Sequence, residues 1–178
     1  MEIKGKVIDV VVNNAGLALG LEAFDRNDPL DIERMIDVNV KAFLHIAHLS
    51  LPLLRASKGH LINLGSIAGT ETYSGGTVYC GTKHFVHAFT RGLRKDLLGS
   101  GVRVTIIAPG RVETEFSDVR LKGDTSAAKK VYEGYEPLQP EDIADAIWYC
   151  VSRPSHVNIE EMLVMPAAQA GISVWKNS

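Results

Sequence analysis

Four short and almost uninterrupted apolar runs, Ile8–Val12, His60–Leu64, Val102–Ala108 and Met162–Met165, are bounded by Gly, Asn or Pro and separated by segments of helical length. Runs this short read as strands, and a strand that is apolar along its whole length belongs to a parallel sheet covered by helices on both faces. The stretches between them leave room for right-handed crossovers. The pattern predicts an open α/β fold with these four runs as its parallel strands.

The intervening segments carry helical periodicity. From Asp31 to Leu54, the residues Ile32, Met35, Ile36, Phe43, Ile46 and Ala47 recur at helical spacing, and Asn39 falls on the same face. A buried carboxamide at that position needs hydrogen-bond partners. Val40, Leu44 and Leu51 form a second stripe, which is either core or a helix-to-helix contact between subunits. Tyr79–Leu98 reads as another helix, with Val86, Phe89, Leu93 and Leu97 on one stripe and Gly99 and Gly101 ending it. Pro140, followed by Glu141 and Asp142, marks a further helix start that runs to about Ser152. Between these two lies Arg111–Leu138, polar and too long for a plain connection. Such a segment reads as a lid over a substrate, with a mobile surface loop as the alternative.

Chemistry gathers where the strands end. Asn13-Asn14-Ala15-Gly16 follows the first, Gly65-Ser66 the second and Pro109-Gly110 the third. In open α/β sheets ligands bind beyond the carboxyl ends of the strands, so these turns converge on one crevice. Tyr79 and Lys83 are four residues apart and share one side of a helix. An ammonium about 5 Å from a phenol, at an effective dielectric of about 20, favours phenolate by roughly 3 kcal/mol. That is about two pKa units, enough to bring a tyrosine from about 10 toward about 8, where it serves as a proton donor or acceptor. A serine hydroxyl at position 66 then steadies the reacting oxygen, and Asn39 fixes a water that connects Lys83 to solvent. Taken singly, each motif is ordinary turn or helix-surface chemistry.

Composition removes other classes of function. A net charge of −2 and a pI near 6.3, with charges well mixed, offer no basic stripe for nucleic acid. The two cysteines, Cys80 and Cys150, are far apart and in no metal-ligand spacing, so they read as packing residues in a reducing compartment and no metal site is expected. Met1–Val7 leads into only a short apolar stretch, which resembles neither a secretory signal nor a membrane span. Residues 1–178 are read as one cytoplasmic domain with no membrane partner.

The ordered set NNAG, a helical Asn, a post-strand Ser, YxxxK and PG resembles the short-chain dehydrogenase/reductase family from Ile8 to the C-terminus. Ile8–Gly20, Thr114–Arg120 and His156–Ile159 look like the subgroup of NADP-dependent 3-hydroxy acid dehydrogenases acting on serine, allo-threonine and related acids. The resemblance implies a Rossmann-like sheet and a hydride transfer between NADP and a small 3-hydroxy acid. It implies that Tyr79 is the general acid/base, that Lys83 lowers its pKa and binds the nicotinamide ribose, that Ser66 orients substrate and that Asn39 holds a relay water. Asn13, Ala15 and Gly16 are expected to line the cofactor cleft, with Pro109, Gly110, Val112 and Thr114 at the nicotinamide end. Arg111, Arg120 and Lys122 are the cations offered to a substrate carboxylate, for which a guanidinium is the better match. A homo-oligomer packed through the Asp31–Leu54 and Tyr79–Leu98 helices is also implied.

One family feature is not found before Ile8, the Gly-rich T-G-x-x-x-G-x-G turn that receives the pyrophosphate. Met1–Val7 resembles the lead-in to the family's first strand and Ile8 the start of its fourth, so a join is expected near Val7/Ile8. Weak cofactor binding and an apolar edge at the Ile8–Val12 strand are the expected consequences. Two readings stand at this point: a 3-hydroxy acid oxidoreductase, and a catalytically silent relic that only oligomerises.

Overall fold

The computed structural model of the protein describes residues 7–176, so the lead-in at residues 1–6 lies outside the described residues. Chain order runs β1 (Val10–Asn13), α1 (Pro29–Ile36), a π-helical segment (Asp37–Ala42), α2 (Phe43–Ser57), β2 (His60–Leu64), α3 (Thr77–Asp96) and β3 (Arg103–Pro109). Then come α4 (Phe116–Arg120), α5 (Thr125–Lys130), α6 (Pro140–Val151), β4 (Glu161–Val164), β5 (Gln169–Gly171) and β6 (Val174–Trp175). β1 to β4 form one sheet in sequence order, and every neighbouring pair is parallel. The four apolar runs are these strands.

Side chains alternate across the sheet. Leu61 and Val104 pack with Ala47 and Leu54 of α2, Leu93 of α3 and Leu97 just beyond its end on one face. Ile62, Leu64 and Ile107 pack with Ala146 and Cys150 of α6 on the other. At β1, which with β4 is one of the two outer strands among the described residues, Val12 is 42% exposed. Local chemistry fixes the helix ends: Asp28 accepts the Leu30 N–H ahead of Pro29, and Gln139 and Asp142 form a capping box around Pro140. Gly99 and Gly101, both with positive φ, take the chain out of α3.

The long helix expected over Asp31–Leu54 is present but is not uniform. Met35, Asn39, Phe43, Ala47, Ser50 and Leu54 are buried, whereas Ile36 and Ile46, expected on the same stripe, are 38% and 46% exposed. Steps of four residues overshoot a 3.6-residue turn by about 40° each. The wider π turn between Asp37 and Ala42 absorbs that drift and keeps positions 35, 39, 43 and 47 on one face. Leu51 of the second stripe packs in the core beside Phe89, and Val40 and Leu44 are half-buried.

Arg111–Leu138, expected as a lid or a surface loop, carries helical structure of its own. Val112 pairs with Leu138 at its base, α4 and α5 fold within it, and the Tyr132 hydroxyl joins Ser117 at 2.7 Å and donates to the Val112 carbonyl at 2.9 Å. The antiparallel β5–β6 hairpin has no counterpart in the sequence expectation. Both cysteines are free and buried, as packing residues should be. No helix among the described residues is long and apolar enough to cross a membrane.

The lower end of the sheet rests on buried polar contacts. The Arg103 guanidinium donates to the carbonyls of Cys150, Val151, Arg153 and Val157, closing the end of α6. Beside it, His60 is fully buried, with Nε2 2.8 Å from the Thr105 hydroxyl. That hydroxyl donates to the Ile159 carbonyl, so it accepts from Nε2–H. Burial, aided by the Arg103 charge, lowers the His60 pKa from 6.5 to about 4. The unfolded chain binds this proton first, so the contribution is complete above pH 6.5 and is lost as pH falls toward 4, at up to about 1.4 kcal/mol per pH unit. Denaturant titrations of wild type and His60→Asn over pH 4–7 are expected to diverge with that slope, and parallel curves would contradict it.

Candidate active site

Three strand ends and the start of α3 meet at one place. The Lys83 side chain is only 7% exposed, and its Nζ donates to the carbonyl of Leu64, the last residue of β2, at 2.9 Å. Tyr79, one turn earlier, lies with its ring centre 5.9 Å from that nitrogen. A Cβ on Gly16 would stand 3.5 Å from Lys83 Nζ and 3.3 Å from Asn39 Oδ1, so the Asn13–Gly16 turn backs directly onto the amine. Exposed Ala15 and Gly16 border the open end of β1. Asn13 instead turns inward, its side-chain amide donating to the Phe43 carbonyl at 3.0 Å, and it holds the start of α2 in place of lining a cleft.

Asn39 is the clamp between these parts. Its Oδ1 accepts the Leu17 N–H at 2.9 Å, and its Nδ2 donates to the Leu17 carbonyl at 2.7 Å and to the Thr82 hydroxyl at 3.0 Å. The side chain expected to carry a relay water therefore has both donors and an acceptor lone pair committed to the protein. What it secures is the register of the turn after β1 against α3. Thr82 was not among the expected residues; its place inside the YxxxK stretch was the available signal.

The phenol departs from the sequence expectation. Burial pushes the Tyr79 pKa well above its usual value; hydrogen bonding to Ser66 is the largest opposing pull, and the Arg120 charge also pulls downward. Lys83 is not what sets it, because the amine is drawn to Leu64 and has itself lost water. Burial lowers the Lys83 pKa from 10.5 to about 8. In the free chain the tyrosine is thus a protonated acid beside a partly neutral amine.

Ser66 and Tyr79 face a cavity of about 420 Å³. Gly110, Val112, Phe116, Arg120 and Trp175 are among the residues on its other walls. Two arginines line it and no carboxylate does, among the described residues, which favours an anionic guest. Arg120 lies 5.8 Å from the Tyr79 ring centre and 5.2 Å from that of Tyr73, with Nε donating to the Gly20 carbonyl at 3.2 Å. Arg111 is braced, donating to the Val131 carbonyl and the Tyr135 hydroxyl and stacking 3.8 Å from the Trp175 ring. Lys122, the third candidate, is drawn out to the surface by Asp31 at 2.7 Å. Thr114 is exposed and caps Phe116 N–H, away from the cavity, and Pro109 ends β3 against Val164. Gln169 and Trp175, which no sequence signal marked, reach the site through the β5–β6 hairpin; Gln169 Oε1 accepts the Arg111 N–H at 3.0 Å.

Residues 2–124 match the short chain dehydrogenase family. The chain belongs to that family. It is 49% identical over 174 residues to the NADP-dependent 3-hydroxy acid dehydrogenase YdfG of Salmonella typhi, covering 96% of this chain and 70% of that protein. The serine 3-dehydrogenase of Agrobacterium fabrum is 45% identical over 173 residues, with coverage of 96% and 70%. Among solved structures, the closed form of serine dehydrogenase complexed with NADP+ superposes with a TM-score of 0.92 at 45% identity, over 99% of this chain and 73% of that one. Serine dehydrogenase from Escherichia coli gives 0.79 at 39% identity, over 96% and 69%. This family member is thus an α/β protein with the parallel four-stranded sheet that its sequence pattern implied.

Asn39→Ala removes three hydrogen bonds, the one to Thr82 buried and the two to Leu17 part-buried. A loss of about 2–4 kcal/mol is expected in denaturant unfolding. Stability within about 0.5 kcal/mol of wild type would show that the clamp is idle.

Proposed function

We propose that this short-chain dehydrogenase family member interconverts a small 3-hydroxy acid and its 3-oxo counterpart with NADP. The observation that carries the reading is one cavity lined by Ser66, Tyr79 and two arginines without a carboxylate. A carboxylate suits such a cavity, and Arg120 is the cation beside the phenol.

The chain's own groups fit the nicotinamide end of the cofactor. Gly16 leaves room beside the Lys83 amine, and at Gly110 a Cβ would meet Gln169 Oε1 at 2.6 Å and Met165 Sδ at 2.8 Å, so glycine there lets the end of β3 pack against the C-terminal segment. Ala15, Gly16, Gly110 and Val112 would border it, and the buried Lys83 amine would donate to a ribose hydroxyl. NADP, when bound, takes up the hydride from C3 of the acid or returns it. In reduction the Tyr79 O–H gives its proton to the carbonyl oxygen as the C–O bond becomes single, while the Ser66 hydroxyl donates to the same oxygen. In oxidation the proton on the alcohol returns to the phenolate. Because burial keeps Tyr79 protonated, the ligand-free chain holds the phenol in the form from which a carbonyl oxygen takes its proton.

NADPH binding by fluorescence, paired with turnover of 3-hydroxypropionate and serine, tests this reading. Saturable binding is expected below millimolar cofactor; Tyr79→Phe is expected to retain it while turnover falls at least about 100-fold, and Arg120→Ala to raise KM for the acid. Absence of binding at millimolar NADPH would overturn the proposal.

A further inference from the structure

A buried histidine stands behind the turn that carries Ser66. His87, on α3 one turn beyond Lys83, is 1% exposed, and its ring tip enters the turn between Gly65 and Gly69. A Cβ on Gly65 would lie 2.5 Å from His87 Nε2, and one on Gly69 would collide with Cδ2 and Nε2 of the same ring. Neither glycine has a positive φ, so backbone conformation does not call for glycine at either position. Clearance for the imidazole does. Between them the chain folds tightly, with Gly69 N–H donating to the Ser66 carbonyl at 2.8 Å and Ala68 N–H to the Ser66 hydroxyl at 3.1 Å.

The far side of the ring faces a carboxylate. Nδ1 lies 3.3 Å from Glu161 Oε1 on β4, whose Oε2 accepts from Arg91 at 2.9 Å. The charged groups facing the ring are Glu161 from β4 and Arg91 and Lys83 from α3; the Gly65–Gly69 turn contributes none. Burial keeps the imidazole below its ordinary pKa of 6.5 against the upward pull of Glu161. Neither ring nitrogen reaches full hydrogen-bond geometry among the described residues. A proton on the ring would supply donors toward both Glu161 and the Ser66 backbone, which itself favours the protonated form.

We infer that His87 is a positioning residue: oriented by Glu161, its ring sets where the Gly65–Gly69 turn holds the Ser66 hydroxyl relative to Tyr79. The inference rests on the proposed function only for the use made of Ser66. A displacement of the hydroxyl alters the chemical step more than cofactor binding, because Ser66 touches the reacting oxygen and not the nucleotide.

The test has two arms. In the ligand-free chain, the backbone amide resonances of Ser66, Ala68 and Gly69 are followed from pH 5 to 8 together with the His87 imidazole. They are expected to move with a single midpoint below 6.5, to shift to a lower midpoint in Glu161→Gln, and to lose the movement in His87→Leu. In the kinetic arm, His87→Leu is expected to lower kcat about tenfold with KM for NADPH unchanged, and His87→Gln to recover part of the loss. Should His87→Leu not fold, Glu161→Gln, which leaves the ring in place, carries the first arm. Amides of the turn that ignore the titration, or a full kcat in His87→Leu, would overturn the inference. A wild-type chain without turnover would count against the proposed reaction alone, because the resonance arm needs no activity.

Discussion

The site is organised around an ammonium taken out of water. Lys83 gives up its hydration for one strand-end carbonyl, that of Leu64, and among the described residues no carboxylate neutralises it. Such burial is unfavourable unless the surroundings hold the amine in place. They do so through three contacts. Leu64 is fixed because β2 is paired with both β1 and β3, Gly16 lets the turn after β1 close over the nitrogen, and Asn39 ties that turn to the same helix. The half-lowered pKa of the amine and the raised pKa of the phenol share one cause, the exclusion of water from the ends of the strands.

Around this rigid floor the walls come from distant parts of the chain. The Arg111–Leu138 excursion supplies Phe116 and Arg120, and the C-terminal hairpin supplies Gln169 and Trp175. The two are fastened to each other, since Trp175 stacks on Arg111 and Gln169 accepts its backbone N–H. A cavity assembled this way separates two tasks. The sheet fixes the proton-transferring groups, while the walls decide which acid fits beside them.

Much of the floor was readable from the sequence because it depends on local rules. Apolar runs closed by Gly, Asn or Pro mark the four strands, the four-residue spacing of Tyr79 and Lys83 puts them on one side of a helix, and Asn39 stands out as a polar residue on an apolar face. What resisted reading depends on contacts distant in sequence. The ranking of Arg120 over Arg111 and Lys122 follows from Gly20, Trp175 and Asp31, none of which spacing brings together. The π turn is visible only as a stepwise burial of positions 35, 39, 43 and 47. The phenol's shift runs opposite to the charge-pair expectation because desolvation, which spacing cannot express, outweighs an ammonium aimed at a carbonyl.

The geometry of the site depends on that buried amine. Selective 13C labelling of lysine, with the Cε resonance of residue 83 assigned by Lys83→Arg and followed from pH 6 to 11, measures it directly. The account predicts one lysine titrating near pH 8, well apart from the rest. A Lys83 resonance titrating with the others near 10.5 would mean that the amine is hydrated, and the site would not be built as described.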